Sequence, residues 1–167
     1  TTYTWTVAIT TVPTAGTISG QTNNLTASAA PISQTLTNSG TTNGVVTYTV
    51  TPVANGCNGT PFTFDITVYP TVTMNDPADL TACNGSTIAP AAFTSTFAGV
   101  TYAWTNSNTA IGLAAAGTGN IASFTATNTG TTPITATITV TPTGNACPGT
   151  PQTFTIIVYP TVTMNDP

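Results

Sequence analysis

Lysine, arginine and histidine are absent from all 167 residues, and so is glutamate. The only charged side chains are Asp65, Asp76, Asp79 and Asp166, giving a net charge of −4. A soluble domain ordinarily carries charge at about a quarter of its positions; here the fraction is 2%. Each absence removes a chemistry. Without imidazole there is no hydrolytic triad and no general base of the usual kind. Without ammonium there is no Schiff base, no phosphate clamp and no lysine for an internal isopeptide crosslink, and without guanidinium no carboxylate is gripped. No cation displaces counterions from a nucleic acid or answers an anionic lipid surface. Apolar runs fall far below the roughly 20 residues of a membrane helix, and the basic start of a signal peptide is missing. The chain reads as a non-enzyme, excluded from nucleic acid and from membrane insertion, and as an interior excerpt of something longer.

What is present is threonine, roughly a quarter of the chain, within 40% apolar residues. Low charge combined with that apolar content builds a core and does not describe disorder. The organising feature is a repeat. Tyr69–Pro77, YPTVTMNDP, recurs letter for letter at Tyr159–Pro167, 90 residues on. At the same offset Thr49–Thr60 matches Thr139–Thr150, and the turn TNSGTT at Thr37–Thr42 matches TNTGTT at Thr127–Thr132. Further upstream TYTWT at Thr2–Thr6 answers TYAWT at Thr101–Thr105 with an offset of 99, so the first copy carries a nine-residue insertion. Repeats of this length are whole domains in series. The organisation expected is an incomplete repeat over 1–70 lacking its opening strands, a complete repeat over 71–160, and the start of another over 161–167. Either the window crops a long array, or an opening strand is donated by another chain, as in strand-complemented fibres.

Within each repeat the signal is alternation. Ile134, Ala136, Ile138 and Val140 alternate with threonines, as do Phe154, Ile156 and Val158; in the first copy Val46, Tyr48, Val50, Phe64, Ile66 and Val68 follow the same scheme. Period two with threonine outward is a half-buried antiparallel strand, and β-branching favours the extended backbone. Asn43-Gly44, Asn55-Gly56, Asn58-Gly59 and Asn84-Gly85 supply turns. The fold class predicted is all-β, as tandem immunoglobulin-like sandwiches. Trp5, Trp104, Phe124 and Phe154 are the expected core aromatics.

Cys57, Cys83 and Cys147 form an odd set with no CxxC spacing, which argues against zinc. Two readings stay open: one disulfide with an orphan, in an oxidising compartment, or three buried free thiols.

The set CNGS (Cys83–Ser86), TYAWTNSN (Thr101–Asn108) and Ile111–Pro160, with its Gly-Thr-Gly-Asn and Cys-x-Gly-Thr-Pro signatures, resembles the PKD-like repeats of giant Bacteroidota cell-surface proteins. These include the gliding-motility adhesin type exported by the type 9 secretion system. The resemblance implies a filamentous, adhesive protein that is extracellular, either secreted or attached at the outer membrane. It also implies a Cys83–Cys147 bridge inside the complete repeat, with Cys57 paired to a cysteine upstream of the window. The first copy departs from the pattern, because Gln34 falls where Phe124 stands and the insertion replaces the Gly-Thr-Gly-Asn segment.

The role expected is therefore a disulfide-stapled spacer in a surface filament or adhesin stalk, whose partners are neighbouring repeats of the same chain. The alternatives are a carbohydrate-binding module that meets surface polysaccharide, and a subunit of a strand-complemented fibre contacting other filament subunits. No cofactor is expected apart from a weak calcium candidate at Asn75, Asp76 and Asp79, where the plainer reading is a turn ahead of Pro77. Asn24-Leu25-Thr26, Asn58-Gly59-Thr60 and Asn84-Gly85-Ser86 match the glycosylation triplet.

Overall fold

The computed structural model describes residues 1–162, and residues 163–167, most of the third repeat start expected at 161–167, lie outside the described residues. The chain divides into two compact units, Thr1–Thr71 and Val72–Pro167. Among the described residues there is no α-helix; one 3₁₀ turn, Thr109–Ile111, is the only helical element.

In the first unit the strands are β1 (Thr2–Thr11), β2 (Ile18–Ser19), β3 (Asn24–Ser28), β4 (Thr37–Asn38), β5 (Gly44–Ala54), β6 (Cys57–Asn58) and β7 (Phe62–Val68). The main sheet runs β3-β1-β5-β6 with β7 also on β5, and β2 pairs with β4 in a second small sheet. The second unit has β8 (Leu80–Cys83), β9 (Thr87–Ile88), β10 (Thr101–Asn106), β11 (Ala116–Thr118), β12 (Phe124–Thr125), β13 (Ile134–Gly144), β14 (Cys147–Pro148) and β15 (Gln152–Tyr159). Its main sheet runs β11-β10-β13-β15-β8, with β14 on β13, and β9 pairs with β12. All pairs are antiparallel except β15 with β8, which is parallel. This is an immunoglobulin-like sandwich in each unit.

The alternation read from the sequence becomes the core. Ala136, Ile138, Val140, Ile156 and Val158 are wholly buried, while Thr135, Thr137 and Thr153 at the alternate positions face water. Fully burying one such aliphatic side chain contributes about 1.5–3 kcal/mol. Trp104 lies over Gly117 of β11, where a Cβ would collide with the indole, so the closeness of that edge depends on glycine. The first unit builds its corresponding edge from the insertion: β3, five residues long, pairs with β1 and brings Asn24 opposite Trp5. Ahead of β3 the short β2 carries Ile18, almost wholly buried, opposite Asn38.

Both units turn β5 into β6, and β13 into β14, through two residues in left-handed backbone. Asn55 and Gly56 have φ of 53° and 78°; Asn145 and Ala146 have φ of 51° and 61°. Two consecutive positive-φ residues make the tight hairpin that matches strand twist. Glycine adopts this freely, whereas Ala146 does so against its own Cβ.

Candidate functional site

The most complete polar construction in each unit is an asparagine in the recurring TNxGTT turn. Asn128 is buried at 3% exposure. Its Nδ2 donates to the carbonyls of Thr132 (2.9 Å) and Val158 (2.8 Å), and its Oδ1 accepts from Gly130 N (3.0 Å). Asn38 repeats the arrangement on Thr42 O (2.9 Å), Val68 O (2.8 Å) and Gly40 N (2.8 Å). One side chain thus closes its own turn and ties it to the end of the last strand, β7 or β15. Threonine and glycine flank it because the loop needs short side chains. Sequence reading took this motif only as a turn. The available signal was the constant spacing of 30 residues from each asparagine to Val68 or Val158.

The cysteines correct an expectation. Cys57, Cys83 and Cys147 are free and exposed, so no bridge joins any two of them and none is buried. Cys83 lies level with Tyr159 at one end of the sheet, beside the start of β13. Cys147 lies opposite Gly144 at the other end of β13. Some ten residues of strand separate those ends, on the order of 33 Å, whereas a disulfide needs Cα atoms within about 7 Å. The Cys83–Cys147 staple is therefore not formed. Cys57, opposite Ala54, occupies the same end of its unit as Cys147 does, so a partner placed like Cys83 would be equally distant. Register decided this, and spacing along the chain does not reveal it.

Asp79, one of the calcium candidates, is committed to the backbone: its Oδ1 accepts from Thr155 N at 2.6 Å, which caps the edge of β15 just ahead of β8. That backbone bond, with help from the Thr155 side chain, holds its carboxyl below the ordinary carboxylate range. Asn75 donates from Nδ2 to Thr94 Oγ1 at 2.7 Å. Asn75 and Asp76 line a mostly apolar groove of about 300 Å³ with Pro77, Leu80, Phe93 and Phe154. Among the described residues no three His, Cys, Asp or Glu side chains gather as a metal site.

The aromatic residues divide by unit. Trp5, Trp104 and Phe154 are buried, and Phe124 is half-buried against the core. Phe93 packs between Tyr102 and Phe154, with ring centroids 5.6 and 6.4 Å away. Burial raises the pKa of Tyr102 and of Tyr48, whose hydroxyl meets Gln34 Oε1 at 2.7 Å. In the first unit Tyr48, Phe64 and Phe62 stack in a row, and Phe62 at its end is 64% exposed.

Two β-sandwiches that follow one another along the chain, each latched by a buried asparagine, define a β-sandwich repeat protein. The PKD-like domain family matches residues 1–72 and 80–162, and the chain belongs to that family. A crystal structure of Drosophila N-cadherin EC1-4 is similar at 13% identity and a TM-score of 0.36, over 96% of this chain and 41% of that one. The chain thus spans about two fifths of that structure's length. No curated protein matches. Among the described residues no helix is long and apolar enough to cross a membrane.

Proposed function

We propose that this chain is a length of an extracellular PKD-like repeat array, serving as a spacer in a surface filament or adhesin stalk of the Bacteroidota gliding-adhesin type. The observation that carries this reading is duplication of a structural device. The asparagine latch, the hairpin and the strand register recur 90 residues apart. Family membership supports it, as does a surface on which threonine hydroxyls replace charge. A chain without lysine or arginine also offers trypsin-type proteases no cleavage site, which suits exposure outside the cell. The spacer works through folded cores and latches, without the disulfide staple.

Antibodies raised against the chain test this on intact cells. Labelling of filaments standing off the surface is the expected result, and removing repeats should shorten them. Label found only after permeabilisation refutes the reading. A glycan array probed with the same chain should stay blank; selective binding would make it a lectin-like module instead.

A further inference from the structure

We propose that the outer edge of β7 is a docking site for one additional strand, running parallel to it. The strand is the counterpart of Leu80–Cys83 carried ahead of Thr1 in the same polypeptide. This rests on the repeat-array reading above and names a surface within it.

The second unit displays the finished form. β7 and β15 hold the same register on their inner neighbours, Thr47 opposite Asp65 and Thr137 opposite Thr155. Both end in a carbonyl gripped by the latch asparagine. On its far side β15 carries β8, with Ile156 opposite Leu80 and Tyr159 opposite Cys83. Thr155 N donates to Asp79 Oδ1 (2.6 Å), and Asn84 N donates to Tyr159 O (2.8 Å). By the period of two, residues 155, 157 and 159 turn their backbone groups toward β8. Their counterparts Asp65, Thr67 and Tyr69 turn the same groups outward along β7, whose only partner among the described residues is β5.

The side chains record the same difference. Ile156 is wholly buried, and its counterpart Ile66 is 37% exposed. A straight edge with open ladder groups and bare apolar side chains is what native sheets cover. The chemistry of the cover is legible in β8, where Leu80 and Ala82 pack on the core after an aspartate that caps the ladder. Along the neighbouring turn both units use their own chain, with Ser39 N donating to Thr17 O (3.0 Å) in the first and Thr127 N donating to Ile111 O (3.0 Å) in the second. The source follows from chain order: β8 comes directly after the last strand of the preceding unit, so the period places the missing strand ahead of Thr1.

Backbone NMR of the 167-residue chain, titrated with a synthetic peptide of Pro77–Asn84 bearing Cys83→Ser, tests the proposal. Saturable shifts and at least tenfold slower amide exchange are expected at Asp65 and Thr67. Amides of β15 should stay unmoved, and a Leu80→Asp peptide should be inert. The longer natural chain, begun about 30 residues earlier, should show the protection without added peptide. Absence of protection in both experiments overturns the site. Protection by peptide but not in the longer chain overturns the assigned source. Concentration-dependent protection of the 167-residue chain alone would also overturn it, giving the edge to a second copy. None of these results bears on surface labelling, so the two readings fail separately.

Discussion

Replacing Asn128 by alanine should unfold the second unit far more readily than its single-residue size suggests. Three side-chain hydrogen bonds disappear, at 2.8, 2.9 and 3.0 Å, from a site that is 3% exposed. Each bond contributes about 1 kcal/mol net, and leaving the Val158 carbonyl buried without a partner adds to the loss. Together these give about 3–4 kcal/mol, among the larger effects of single substitutions. For a domain of this size that is a fall in Tm of about 12 °C or more. The two units need separate reporters, because a two-unit chain is not assured one cooperative transition. Each unit holds a single tryptophan, Trp5 or Trp104, so a Trp5→Phe background leaves urea-induced fluorescence change to the second unit alone. Asn128→Asp sharpens the test, since a carboxylate would face the two carbonyls that Nδ2 now serves. It should be worse than alanine at neutral pH. It should recover as the pH falls, because protonation restores one donor and the raised folded-state pKa makes stability grow on acidification. A loss below about 1 kcal/mol for Asn128→Ala would mean the turn and β15 hold together without the latch, and the reasoning would be wrong.

Ala146→Gly should stabilise the second unit by about 0.5–1 kcal/mol, since it relieves a left-handed alanine, and Gly56→Ala should weaken the first unit by a similar amount; paired urea curves decide. Asp79 has a depressed pKa, so what it lends the β15 edge is present at neutral pH and lost as pH falls through its folded-state value. Exchange of the Thr155 amide should therefore quicken below the ordinary carboxylate range, and Asp79→Asn should abolish that pH dependence. A thiol reagent should titrate three cysteines in the native chain without reductant or denaturant; a count of one would restore a bridge.

What the sequence made legible was local. Threonine alternating with Ile, Val and Phe fixes which face of β13 or β15 is wet, because the strand period is two. The 90-residue identity fixes that the second unit repeats the first. What stayed hidden depends on which strands lie side by side. Asn128 reads as a turn residue until Val158, 30 positions on, is known to end beneath it. Cys83 and Cys147 are plausible partners along the chain, yet β8 enters parallel to β15 and delivers Cys83 to the wrong end. Asp79 looked like a cation ligand because nothing in its neighbourhood of sequence announces Thr155 as its partner.

The parallel pairing of β8 with β15 has a mechanical consequence. The strand that opens the unit and the strand that closes it lie side by side and point the same way. Tension applied through the two ends of the unit therefore slides one past the other lengthwise. The hydrogen bonds between them run across that pull and must yield together, whereas an antiparallel pair tugged from its adjacent ends would peel bond by bond.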